Sequence, residues 1–150
     1  MANIGKWNTP TAIATVLSTE LNSLGSATMS GASGSAYTNS SFLNIYCDLE
    51  VNLASLSPGS GAYVAIYIWE LADGANYPAQ SAADLRLTTT QLLCTVPIGT
   101  TASTAQRVIV RNIVLPPADF KLLLDNQAGV ALNASGNTVK ILAYNINGNG

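Results

Sequence analysis

The chain has no histidine. That removes the commonest general base, the commonest metal ligand and any Ser-His-Asp triad. Only two cysteines are present, Cys47 and Cys94. Two are too few for a disulfide framework, and without histidine they do not suit a structural zinc site. Both sit in apolar stretches, so they read as reduced thiols buried like small hydrophobes. A disulfide stays open should their strands be neighbours. Charge is scarce, at 9 % of residues against about 25 % in a typical domain. Six basic and eight acidic residues give a net charge of -2, with no block of one sign. There is thus no basic field to hold nucleic acid and no charged interaction tail. No apolar run reaches the length of a membrane span. The start, "MANIGKWNTP", lacks a basic region followed by an apolar stretch and has no Gly at position two, so neither a secretory signal nor myristoylation is expected. No Gly-rich phosphate loop occurs. No cofactor and no metal are expected.

What is present is a chain of 150 residues, 48 % of them hydrophobic. One domain of this length buries roughly 70 % of its unfolded surface and needs no metal or disulfide to fold. A surface so poor in charge suits a protein that spends its life against a partner. The plainer alternative is a soluble surface of Ser, Thr, Asn and Gly.

Residues 9–25, "TPTAIATVLSTELNSLG", predict one short helix. Thr9 can cap it, Pro10 can open it, and Ile13, Val16, Leu17, Leu21 and Leu24 recur at helical spacing. The β-branched content argues for the alternative, an extended start and a short helical turn. Residues 1–8 read as an N-terminal arm with Trp7 as an anchor. Residues 25–41 are small and polar, which predicts a long flexible loop or an arm ordered by a partner.

The rest is nearly all strand. "FLNIYCDLEVNL", residues 42–53, alternates so that Leu43, Ile45, Cys47, Leu49, Val51 and Leu53 share a core side, with Phe42, Tyr46, Asp48 and Glu50 outside. In residues 62–71, Val64, Ile66 and Ile68 point one way and Tyr63, Tyr67 and Trp69 the other. Further strands follow in "QLLCTVPI", "QRVIVRNIVL", "KLLLDNQA" and "TVKILAYNI", separated by Gly, Pro and Ser turns, with residues 147–150 as a frayed tail. Six or seven strands with such turns predict a mainly β fold. The form expected is an antiparallel β-sandwich of jelly-roll type spanning 9–146, with an immunoglobulin-like sandwich as runner-up.

Chemistry has few footholds. Asp48 and Glu50 share a strand face, at a spacing that a glycosidase pair can use, but exposed acids on one strand are ordinarily just solvated. Neither shows an apolar setting that would separate their pKa values. "ELADGAN" offers Glu70, Asp73 and Asn76 to calcium, yet it misses the EF-hand pattern and reads as turn chemistry. No catalytic residue is assigned. Arg107 and Arg111 fall on one strand side, able to pair with Asp48 or Glu50 across a sheet or with another subunit. The aromatics carry more. If the strands of 42–53 and 62–71 pair as a hairpin, Phe42, Tyr46, Tyr63, Tyr67 and Trp69 form one patch. Such a patch is a subunit interface, a face covered within the chain, or a sugar-stacking platform.

The run "TPTAIATVLSTELNSLGSATMSGAS", followed by "YTNSSFLNIYCDLEVNL", "GAYVAIYIWEL", "LPPADFKLLLDNQAGVAL" and "VKILAYN", resembles small virion proteins of tailed bacteriophages. The resemblance covers roughly residues 9–146. It points to the capsid decoration, or cement, proteins with jelly-roll folds. What it implies is a non-enzymatic protein on the capsid surface, assembled in the host cytoplasm, that bridges major capsid protein subunits and stiffens the shell. It also implies a homo-oligomer, dimer or trimer. The expected partner contacts are Trp7, Phe42, Tyr46, Tyr63, Tyr67, Trp69, Arg107 and Arg111. The alternative is a carbohydrate-binding or receptor-binding module of a phage fibre or tail.

Overall fold

A computed structural model describes residues 6–31, 33–71, 77 and 91–147. Residues 1–5 of the expected arm, 148–150 of the expected tail, Asp73 and Asn76 of the calcium candidate, and most of the loop that holds them lie outside the described residues.

The protein is mainly β. One four-stranded antiparallel sheet contains β2 (Ala14–Leu17), β4 (Tyr46–Leu56), β7 (Thr104–Val114) and β9 (Thr138–Tyr144), in the order β2-β9-β4-β7. The other contains β3 (Thr28–Met29), β5 (Tyr63–Glu70), β6 (Gln91–Pro97) and β8 (Phe120–Gln127), in the order β3-β8-β5-β6. A two-stranded ribbon joins β1 (Lys6–Trp7) to β10 (Ile146–Asn147). The pairing is nested: β1 with β10, β2 with β9, β3 with β8, β4 with β7, β5 with β6. Among the described residues only β5 and β6 are consecutive strands that pair.

The two sheets face each other across one apolar core, each strand contributing alternate residues. From β4 come Cys47, Leu49, Val51 and Leu53; from β5, Val64, Ile66 and Ile68; from β8, Phe120, Leu122 and Leu124; from β9, Val139, Ile141 and Ala143. The alternation expected for 46–53 and for β5 holds. Both thiols are free, Cys47 in one sheet and Cys94 in the other, each packed on this core.

The expected N-terminal helix is absent. Residues 14–17 form β2, and only Thr19–Leu21 turn, as a single 3-10 turn. The β-branched residues favour the extended form, which here gains β9 as a partner. A register shift between Thr15 and Leu17 puts both Val16 and Leu17 in the core, and the 3-10 turn adds Leu21. Bulge and turn together imitate a helical repeat.

Described residues of the segment 25–41, expected as a flexible loop or an arm ordered by a partner, run along β8. Ala27 N donates to Asn126 O at 2.6 Å, Ser30 N to Leu124 O at 2.8 Å and Tyr37 N to Phe120 O at 2.7 Å. Buried Asn126 gathers the adjoining loops, its Nδ2 donating to the carbonyls of Leu24, Gly25 and Val130. The segment is held by a neighbouring strand, by the buried Asn126 amide and by three buried side chains of its own, Ser30, Tyr37 and Asn39.

Candidate functional site

The outer face of the β2-β9-β4-β7 sheet carries a cluster of charge. Asp48, Glu50, Arg107, Arg111 and Lys140 are five of the chain's fourteen charged residues, and all lie here. Cross-strand register sorts the face into rungs. At one end Val114, Tyr46 and Tyr144 stand side by side. Asp48 and Leu142 form the next rung, with Arg111 and Asn112 opposite Asp48 where the β4–β7 ladder shifts register. Ile109, Glu50, Lys140 and Thr15 make the third.

Asp48 is the centre of the second rung. Its Oδ1 accepts the Tyr144 hydroxyl at 2.9 Å and the Asn112 backbone N–H at 3.1 Å; its Oδ2 accepts Arg111 Nη1 at 3.1 Å. Two β7 residues thus oppose one on β4, a bulge, with Asn112 in the left-handed region at φ 58°. Desolvation and the neighbouring Asp48 raise the Tyr144 pKa. The Tyr144 ring stacks on Tyr46 with centroids 6.1 Å apart and meets Trp7 edge-on at 5.1 Å. Trp7 itself stays 64 % exposed.

Glu50 of the third rung accepts Arg107 Nε, which reaches it diagonally from opposite Asn52, at 2.9 Å on Oε2, and Lys140 Nζ lies 3.4 Å from its Oε1. The hydrogen bonds from Arg107, foremost, and the two positive charges hold the Glu50 pKa below the ordinary carboxylate value. A catalytic acid needs the opposite shift. Both acids of the candidate glycosidase pair are tied to arginines, Asp48 to Arg111 and Glu50 to Arg107. The cross-sheet pairing that the sequence offered for Arg107 and Arg111 is thus present. No group of three or more His, Cys, Asp or Glu able to hold a metal occurs among the described residues.

A second feature occupies the end of the sandwich beside the first rung. Of the ten large hydrophobics exposed among the described residues, Trp7, Phe42, Leu43, Ile45, Val114 and Ile146 gather here. Backbone and amide bonds fix their placement. Leu115 N donates to Ile45 O at 2.8 Å, and Asn145 Oδ1 accepts Ile45 N at 2.7 Å. Trp7 pairs with Ile146 in the β1–β10 ribbon. The expectation that Leu43 and Ile45 point into the core fails: they are 59 % and 49 % exposed, while Asn44 is buried. The strand begins only at Tyr46, because residues 39–45 fold back on the side chain of Asn39.

The expected aromatic contacts do not form one patch. β4 and β5 lie in different sheets, so Tyr46 faces out on one side of the sandwich and Tyr63, Tyr67 and Trp69 on the other. Trp69 is buried against Leu123, with its ring 4.9 Å from that of Tyr77. It is covered within the chain. Tyr63 is exposed and Tyr67 half-buried. Trp7 and Phe42, by contrast, are exposed, and Trp7 and Tyr46 both pack on the Tyr144 ring. Sequence reasoning missed Tyr144, Asn112, Val114 and Ile146. Two successive apolar residues, Val114 and Leu115, at the end of a strand were a signal, since alternation sends one of them outward.

No protein-family model, no curated protein and no solved structure matches the chain.

Proposed function

We propose that the protein is a non-enzymatic virion structural protein of the capsid decoration type, docking on the outer surface of a tailed-phage shell and bridging its major capsid subunits. The observation that carries this reading is the apolar end. Monomers keep large hydrophobics scattered; here six exposed ones lie on segments joined by backbone and amide bonds at one end of a chain with few charges. Leu43 is presented in the left-handed region, at φ 49°, where a branched side chain is strained. Strain of that kind is held only where the surroundings enforce it, and it gathers at binding sites.

The jelly-roll type belongs to the same proposal. Its support is the nested strand order, with β2 to β9 divided between two four-stranded sheets as a rolled hairpin requires. The proposed homo-oligomer has support in β7, eleven residues long and paired only with β4 among the described residues. An edge of that length offers a ladder to a second copy.

The test is co-sedimentation of the purified protein with shells that lack it, counting copies per shell. The expected result is saturable binding at a fixed, symmetry-related copy number, lost in Phe42→Ser and Leu43→Gly. Absence of binding by the unaltered protein removes the decoration role. Full binding by both variants moves docking away from the apolar end.

A further inference from the structure

We infer that the pocket bounded by Trp7, Asp48, Arg111, Asn112 and Tyr144 is a binding site for a neutral saccharide. The site borders the apolar end and shares Trp7 with it, but its other walls lie on the sheet face and it does not depend on the shell-docking reading. Its cavity measures about 360 Å³, a volume within the range of small-ligand sites. One wall is Trp7, a large ring with most of its surface in water, set upright by its edge-on contact with Tyr144. An exposed indole face takes the C–H face of a pyranose, an apolar body that carries polar groups at its rim.

The opposite wall is polar and electrically balanced. Asp48 and Arg111 are joined at 3.1 Å, so a charged ligand meets no uncompensated counter-charge. Hydroxyl groups suit it better. Arg111 spends one nitrogen on Asp48 and keeps the rest of an exposed guanidinium, a fork of donors in fixed geometry. Asn112 adds an amide. The Tyr144 hydroxyl lies 2.9 Å from both Asp48 Oδ1 and Asn112 Oδ1 but has a single proton. That proton belongs to the carboxylate. The Asn112 amide is then best satisfied with its NH₂ turned to the phenol oxygen, leaving its carbonyl as an acceptor.

The backbone is shaped for this wall. The bulge brings Arg111 and Asn112 together opposite a single β4 residue, at the expense of a left-handed Asn. Bulges re-aim side chains and recur beside binding sites. A second cavity of about 230 Å³ shares Asp48, Arg111 and Leu142 and continues past Glu50 and Arg107. Together the two make a groove over the sheet face, which fits an oligosaccharide chain better than a single sugar.

The experiment is a glycan array probed with the intact protein, carrying neutral glucans, mannans, galactans and chitooligosaccharides beside sialosides and uronates. The strongest neutral hit is then titrated calorimetrically against the unaltered protein, Trp7→Ala and Asn112→Gly. Glycine accepts the left-handed bulge position, so the second variant keeps the fold. Expected are neutral hits, a loss of affinity of tenfold or more in each variant, and protection of Trp7 fluorescence from iodide quenching on binding. Buried Trp69 supplies the unquenched background. No hit on the array, hits confined to acidic glycans, or affinity unchanged in both variants each overturns the inference.

Discussion

The side chain of Asn39 closes on the backbone of Asn44: its Oδ1 accepts the Asn44 amide at 3.0 Å and its Nδ2 donates to the Asn44 carbonyl at 3.0 Å. One buried amide thereby does what a strand neighbour would do, and it adds a bond to the Pro116 carbonyl. The Asn39 carbonyl also accepts Phe42 N at 3.1 Å and Leu43 N at 2.7 Å. In the loop so held, Phe42 and Leu43 stand exposed.

Asn39→Ala leaves the Asn44 amide and carbonyl and the Pro116 carbonyl without these partners in a buried place. Each such loss costs about 1–3 kcal/mol, and water can recover part of it. We expect a net destabilisation of about 2–3 kcal/mol in urea unfolding, with an unchanged m-value. An effect within experimental error would mean that the loop holds its shape without this bracket.

Leu43→Gly separates stability from binding. Leucine in the left-handed region costs about 1 kcal/mol that glycine does not. The side chain is mostly in water, so its removal gives up little burial. The variant should melt at the same temperature or higher, while Leu43→Ala, which keeps the strained conformation, should not gain. A markedly lower melting temperature for Leu43→Gly would show that Leu43 packs against its own chain.

The thiols predict an alkaline limit. Burial, then the charge of Asp48, pushes the Cys47 thiol from its ordinary 9.0 up to about 12, and burial alone takes Cys94 to about 11. In the unfolded chain both ionise near 9, so between that pH and the folded values the native state holds more protons. Stability is complete below pH 9 and falls as pH rises, by up to about 1.4 kcal/mol per pH unit for each thiol. Thermal melts between pH 8 and 10.5 should show this slope, and Cys47→Ala should flatten it. At pH 8 iodoacetamide should leave both thiols intact in the native protein and modify both in urea. Rapid alkylation of Cys47 without denaturant would contradict its burial.

What the sequence disclosed depended on how local the cause was. The alternation of 46–53 and of β5 is enforced residue by residue by one apolar face, and it was legible. Arg107 and Arg111 could be placed on one strand side, but the sequence left open whether they pair with the β4 acids, as they do here, or with another subunit. The helix misreading has a physical origin: a bulge at residues 15–17 and a 3-10 turn reproduce the spacing of a helical face. The split of the aromatics is a matter of topology. "SPGSG" between β4 and β5 marks a turn but not whether the chain returns in the same sheet or crosses to the other. In a nested hairpin most consecutive strands cross. The Tyr144–Asp48–Asn112 cluster joins residues far apart in the chain through a bulge, and no periodicity announces it.

Gly34 offers a final check on how tightly the segment 25–41 is packed. A Cβ at this position would lie 2.7 Å from Leu17 Cδ2 and 3.2 Å from the Val16 carbonyl oxygen. Leu17 is 1 % exposed and cannot swing away, and the carbonyl belongs to β2. Gly34→Ala should therefore cost about 1–3 kcal/mol by overpacking. Leu17→Ala alone should cost about 2–5 kcal/mol through the cavity it leaves. In the double variant the added methyl group enters the space that Leu17 vacates, so the total should fall short of the sum by 0.5 kcal/mol or roughly more. Strict additivity in that cycle would mean that the two residues do not touch, and that residues 25–41 sit more loosely on the sandwich than these distances require.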